Sequence, residues 1–133
     1  MRPRSESDYW LYAELFAQTC PVAVDDGQII GAVLGFRSQS APAEVYLQDV
    51  MTHPSWRRKG VARQLINFVR GQAQEWRCQR LWLTSEPANL AAHATWLALG
   101  FRNMPGDYRV GDVEVVTDFK GPGKDRAVYE ASL

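Results

Sequence analysis

The chain has 133 residues, 46% of them hydrophobic, with 15 basic and 15 acidic side chains. That length suits one compact domain with a real core, and the balanced charge argues against a nucleic-acid binder. No apolar run approaches the roughly 20 residues of a membrane span, and the opening MRPRSESDYW lacks the apolar stretch of a signal peptide, so a soluble, cytoplasmic protein is expected.

Residues 7–17, SDYWLYAELFA, read as a helix capped by Ser7 or Asp8, with Tyr9, Tyr12, Leu15 and Phe16 at helical spacing and with its tyrosines and Trp10 expected in the core. Any leading strand would be a stub around Arg2 and Pro3. CPVAV (20–24) and QIIGAVLGF (28–36) flank Asp25-Asp26-Gly27, a strong hairpin signal. SQSAPA (38–43) is a loop, and EVYLQDVMT (44–52) is a third strand stopped by His53-Pro54. From Val61 to Trp76 an apolar stripe marks a helix. RLWLT (80–84) is a strand. Asn89 caps a helix running to Leu99, with Gly100 as its stop. DVEVVTDF (112–119) alternates as a strand with Val113, Val115, Thr117 and Phe119 on one face. GPGKD (121–125) is a turn and RAVYEASL (126–133) a last strand. This order predicts an α/β (α+β) fold, a single domain over residues 1–133 with a mixed, largely antiparallel central sheet flanked by helices.

Cys20 and Cys78 lack ligand spacing, and His53 and His93 are isolated, so no metal site is expected. Both cysteines are expected to be free thiols.

The chemistry concentrates at HPSWRRKGVARQL (53–65). Arg57, Arg58, Lys59 and Arg63 fall within seven residues, at the start of a helix. A helix N-terminus offers unpaired N–H groups and a partial positive charge, and Gly60 lets backbone approach a ligand closely, so the stretch reads as a phosphate cradle. A solvated turn is the bland alternative. GxxxxGK[ST] is absent, and so is GxGxxG after a strand; Gly31 and Gly35 lie inside a strand and fit neither pattern.

The pattern [R/Q]-x-x-G-x-[G/A] is present as Arg57, Gly60 and Ala62. With NLAAHATWLALGF (89–101) downstream and a strand between the two, the chain resembles the GNAT acyltransferase superfamily over about residues 5–133. The resemblance implies an acetyl-CoA-dependent N-acetyltransferase acting on a primary amine, with acetyl-CoA as cosubstrate. Its pyrophosphate is then expected on the N–H groups of residues 58–63, that is Arg58, Lys59, Gly60, Val61, Ala62 and Arg63, with Arg57, Arg58 and Lys59 adding charge. Pantetheine is expected along Val50, Met51 and Thr52, in a splay between that strand and RLWLT, with the thioester oxygen near the N–H of Val50 or Met51. Asn89, a helix cap, opens the second signature and is expected at the cosubstrate too.

In such a scheme the amine attacks the thioester directly, so neither cysteine is a nucleophile. Glu44 and Asp49 are the candidate bases, with Glu86 next; the glutamate base of some members is replaced here by Tyr46. The tyrosine that many members use to protonate the departing thiolate is replaced by Trp96, which leaves unaided departure of the thiolate, Tyr108 or Tyr129 as a substitute acid, or loss of activity as the alternatives. The expected partner is a small-molecule amine, with no nucleic acid and no membrane; a homodimer is left open. The acids of segment 104–133 fit a cationic amine weakly. SDY, EVYLQDV and RRKGVARQLINF also have the flavour of aminoglycoside 3-N-acetyltransferases, and peptide amines stay open. A catalytically silent acyl-CoA sensor, motivated by Trp96, and a phosphate-binding interaction module are the competing classes.

Overall fold

The computed structural model describes residues 6–133; the stub expected around Arg2 and Pro3 lies outside them. Helix α1 (Glu6–Leu15) leads by a 3-10 turn (Ala17–Thr19) into β1 (Val22–Asp25), β2 (Gln28–Arg37) and β3 (Glu44–Thr52). Another 3-10 turn (Pro54–Trp56) precedes α2 (Val61–Glu75), which is followed by β4 (Arg80–Ser85) and α3 (Leu90–Ala98). The chain closes with β5 (Arg102–Asn103), β6 (Tyr108–Val110), β7 (Val113–Val115) and β8 (Ala127–Ser132). Six strands form one sheet in the order β1-β2-β3-β4-β8-β5, in which only the β3–β4 pair is parallel, and β6 and β7 form a separate ribbon.

The β1–β2 hairpin turns on Asp26 and Gly27, both at positive φ, which matches the right-handed twist of the strands it joins. Helix α2 buries Val61, Leu65, Ile66, Val69 and Ala73 against the sheet, the face its stripe predicts. Each of its larger aliphatic side chains stabilises the fold by about 1.5–3 kcal/mol through burial. Val33, Val45, Leu47, Leu81, Leu83 and Tyr129 meet this helix in one core cluster. Gly31 makes the close approach possible: a Cβ there would lie 2.6 Å from Val61 Cγ1.

Three expectations are corrected. Ser7 and Asp8 lie inside helix α1, described from Glu6, and none of its described residues is buried. Tyr9, Trp10 and Leu15 are exposed, because apolar residues ring this helix rather than line one side. Only its C-terminal end is anchored on the sheet, where Tyr12 and Phe16 pack on Phe36 at 5.5 and 4.8 Å between ring centres. The strand expected over 112–119 stops at Val115: it pairs back on β6, and beyond it Val116 makes a lone bridge to Arg126. Val113 and Val115 are buried as the alternation requires, but Phe119 is exposed on a loop. The short β5 was not expected at all; two residues carry too little pattern to read.

Candidate active site

Strands β3 and β4 run side by side only as far as the pair Leu47↔Leu83. Strand β3 continues to Thr52 and β4 to Ser85 without further pairing to each other. The cause is local. Asp49 faces Leu34 and Leu47 faces Gly35, so Gln48 is an extra residue that bulges β3 and swings its second half away from β4. The result is a slot through the sheet.

The slot has a polar wall. The N–H of His53 donates to Ile30 O at 2.8 Å, toward β2. Strand alternation then turns the N–H and C=O of Met51 toward β2, and those of Val50 and Thr52 toward the slot. Of the two donors expected near a thioester, Val50 has the usable N–H, and Met51's belongs to the sheet.

At the far end of this wall is the N-terminus of α2. Its cap, Gly60, is left-handed with φ 82 and provides no side-chain cap, and the first turn holds no acid. The first N–H satisfied along the helix is that of Gln64, which donates to Gly60 O at 3.0 Å, so those of Val61, Ala62 and Arg63 have no acceptor within the helix. Arg57 is extended and Arg58 left-handed with φ 64, so the loop coils tightly before the helix. The space beside Gly60 is open: a Cβ there would meet nothing within 4 Å. An uncapped helix start without acids, ringed by cations and facing open space, fits a pyrophosphate.

Not every predicted cation faces that space. Arg63 Nη2 donates to Ala98 O at 3.0 Å and ties α2 to the end of α3. The Lys59 ammonium stands 5.1 Å from the centre of the Trp56 ring. Asn89 acts as the expected cap, with its Oδ1 accepting from Ala92 N–H at 3.0 Å.

Helices α2 and α3 cover one face of the sheet. Trp96 packs against the core there, edge-on to Phe101, with its indole N–H buried and without a hydrogen-bond partner among the described residues. One turn earlier His93 Nδ1 shares a 2.6 Å hydrogen bond with the Tyr129 hydroxyl. Burial pushes the Tyr129 phenol up to about 12. Tyr108, the other alternative acid, donates to Asp125 on the surface ribbon, which pushes it to about 12 as well.

The opposite face is partly covered, by the end of α1 on Phe36 and by residues 116–126 on Tyr46 and Trp82, while Tyr46, Asp49, Trp82 and Thr84 stay partly exposed. Val33 and Val50 point into the core, so alternation turns Leu34 and Asp49 to this other side. Tyr46 and Trp82 stack here at 4.6 Å, with Thr84 beyond them. Glu44 lies at the closed end, where Arg80 Nη1 donates to its Oε1 at 3.0 Å while Arg80 Nε donates to Glu130 at 2.7 Å. The two candidate bases are thus separated: Asp49 is at the opening of the slot and Glu44 is held in an ion pair. A cavity of 380 Å³ lies elsewhere, at the end of α1 beside Arg37 and Trp76, where β2 meets the beginning of β3.

The thiols stand apart from this arrangement. Cys78 is buried with Sγ against Pro42 O, and half-buried Cys20 donates to Gly35 O at 3.4 Å. Burial pushes the Cys20 thiol up, away from nucleophilic thiolate.

Residues 1–101 match the model of the acetyltransferase (GNAT) family. The chain belongs to this family. Among its relatives is the L-2,4-diaminobutyric acid acetyltransferase of Virgibacillus pantothenticus, 23% identical over 95% of this chain and 79% of that one. The diaminobutyrate acetyltransferase EctA of Paenibacillus lautus, solved with L-2,4-diaminobutyric acid and coenzyme A, superposes with a TM-score of 0.75 at 20% identity, over 99% of this chain and 80% of that one. Naa20 of Chaetomium thermophilum, solved with a bisubstrate analogue, gives a TM-score of 0.77 at 19% identity, over 99% and 75%. As a GNAT acetyltransferase the protein uses acetyl-CoA, and the expected mixed sheet flanked by helices is the family's fold. Among the described residues no helix is long and apolar enough to cross a membrane.

Proposed function

We propose that this GNAT acetyltransferase acts over its whole length as one domain and moves the acetyl group of acetyl-CoA to a primary amine of a small molecule by direct attack. The observation that carries this reading is the slot. One wall presents the free backbone edge of Val50 and Thr52. That wall ends at an uncapped helix start, and on the side away from α2 Asp49, Tyr46 and Thr84 stay partly exposed. Pantetheine extends along Val50, Met51 and Thr52 as an added strand, and its pyrophosphate lies on the N–H groups of residues 58–63 with Arg57 and Arg58 alongside. The Val50 N–H polarises the thioester oxygen as negative charge develops on it. The α2–α3 face is packed with side chains, so the amine enters from the opposite face.

An alkylammonium has a pKa of about 10.4, so it must lose a proton before it attacks. Asp49, at the slot on the amine's side, is the base in this reading, directly or through water. Glu44 is the weaker candidate, because it lies at the far end of the paired stretch of β3 and β4, away from the slot. The relatives act on L-2,4-diaminobutyric acid, which supports a small diamine as acceptor over an aminoglycoside or a peptide.

Thiol release from acetyl-CoA over a panel of amines tests the reading. Turnover on a small diamine is the expected result, and Asp49→Asn is expected to lower kcat by about 10²-fold or more while Glu44→Gln does less. Coenzyme A binding without turnover on any amine would favour the silent sensor, for which Trp96 in place of a tyrosine is the motivation.

A further inference from the structure

The loop from β7 to β8, residues 116–126, lays two side chains on the face of the sheet away from α2. Phe119 meets Trp82 edge-on at 6.0 Å. The Lys120 ammonium donates to the Tyr46 hydroxyl at 2.8 Å and stands 5.3 Å from the centre of that ring. The Tyr46 hydroxyl also shares a 3.0 Å hydrogen bond with Thr84 Oγ1. Tyr46 lies one residue before the last parallel pair, Leu47↔Leu83, and Thr84 one residue after it. One ammonium and two hydroxyls therefore flank the point where the slot opens.

Neighbouring strand acids are already paired with arginines. Arg80 takes Glu44 and Glu130, Arg109 takes Glu114, and no ion pair among the described residues includes Lys120. The loop's own acids hold the loop. Asp118 accepts from Gly123 N–H, and Asp125 accepts from Asp118 N–H and Tyr108. Asp107 accepts from Thr117 N–H. Asp107, Glu114, Asp118 and Asp125 are thus used within this segment and Glu130 on Arg80, and what the loop presents to the slot is a cation. Such a cation disfavours a purely cationic amine and favours one that brings its own carboxylate, because ammonium and hydroxyl donors together match carboxylate oxygens.

We propose that Lys120, Tyr46 and Thr84 form a carboxylate subsite, so that the acceptor is an amine that also carries a carboxylate. The proposal rests on the acetyl-transfer reading above and narrows its substrate. The test compares matched pairs that differ only in the carboxylate: L-2,4-diaminobutyrate with 1,3-diaminopropane, L-ornithine with 1,4-diaminobutane, and L-lysine with 1,5-diaminopentane. Thiol release gives kcat/KM, and calorimetry on the coenzyme A complex gives Kd. For at least one pair the amino acid is expected to be preferred by about tenfold or more, as for a charge-assisted contact. Lys120→Gln should remove most of that preference, Lys120→Arg should keep part of it, and Lys120→Glu should reverse it. These variants change an exposed side chain, and the ratio within a pair cancels any general loss of folded protein. Equal kcat/KM within every pair, or a preference unmoved by Lys120→Glu, overturns the subsite and leaves acetyl transfer standing. No turnover together with no difference in Kd within any pair overturns it too. Failure to bind coenzyme A removes the acetyl-transfer reading itself and the subsite with it.

Discussion

Gly60 and Arg57 carry the phosphate cradle by different means. Gly60 holds φ 82 beside open space, a conformation that strains any side chain. Gly60→Asp adds that strain and puts a negative charge where a pyrophosphate must lie, so coenzyme A binding should be nearly abolished. Arg57→Ala removes only a charge, and should weaken binding by about 1–3 kcal/mol. Calorimetric titration of both folded variants measures this; parent-like affinity in both would put the phosphates elsewhere. Tyr129 belongs to a different kind of argument. Its phenol is buried, bonded to His93 and pushed up to about 12. The unfolded chain's tyrosine ionises near 10, so the native state keeps a proton there that the unfolded state loses. This contribution to stability is fully present below pH 10 and is lost as pH rises toward 12. Tyr129→Phe should flatten that alkaline fall. At neutral pH it should cost about 0.5–1.5 kcal/mol for the lost, partly buried hydrogen bond to His93. Urea unfolding across pH reads both effects, and an unchanged alkaline limb would show that the hydroxyl is not protected by burial.

Elements show where periodicity informs and where it misleads. The stripe of α2 was legible because its apolar positions fall on one side and all face the sheet. The spacing in α1 looked similar at Tyr9, Tyr12, Leu15 and Phe16, yet Trp10 and Leu11 fill the other sides, so no single face was specified. For 112–119 the alternation was real over Val113–Val115 only; Asp118 sits at φ 54, which breaks a strand regardless of the pattern around it. The contact between β2 and α2 depends on what Gly31 lacks. A methyl there would fall 2.6 Å from Val61 Cγ1 and 3.1 Å from Leu65 Cδ1. Gly31→Ala should therefore push the first turn of α2 off the sheet, at about 1–3 kcal/mol for overpacking. Because that turn carries the N–H groups of the cradle, coenzyme A affinity should fall with stability. Thermal unfolding paired with calorimetry checks the coupling; lost stability with full affinity would mean that the cradle moves independently of the core.

At the scale of the whole molecule, one bulge makes the site. Gln48 has no counterpart on β2, β3 swings from β4 after Leu47, and everything placed around the slot follows from that departure. The face under α2 then supplies the anchored helix start, and the opposite face supplies Asp49 and the Tyr46 hydroxyl. Contacts distant in sequence tie the two ends of the β3–β4 pair: Lys120 reaches Tyr46 beside the slot across 74 positions, and at the closed end Arg80 joins Glu44 to Glu130 across 36 and 50.

The sequence by itself determined what depends on neighbours along the chain. The Asp26-Gly27 turn, the start of α2 at Gly60 and the Asn89 cap each rest on a few consecutive residues whose backbone preferences act locally. The two signatures around Gly60 and Asn89 lie inside such stretches, which is why the cradle and the family were readable. Tertiary structure alone decided the rest. Whether Arg63 faces a phosphate or Ala98, whether Glu44 is available or held by Arg80, and which of Val50 and Met51 turns its N–H to the slot depend on partners distant in sequence. The Lys120 subsite has no local signature either: a lysine in a glycine-rich loop gains a role only when the loop's own acids bond inward and the sheet brings Tyr46 and Thr84 beneath it.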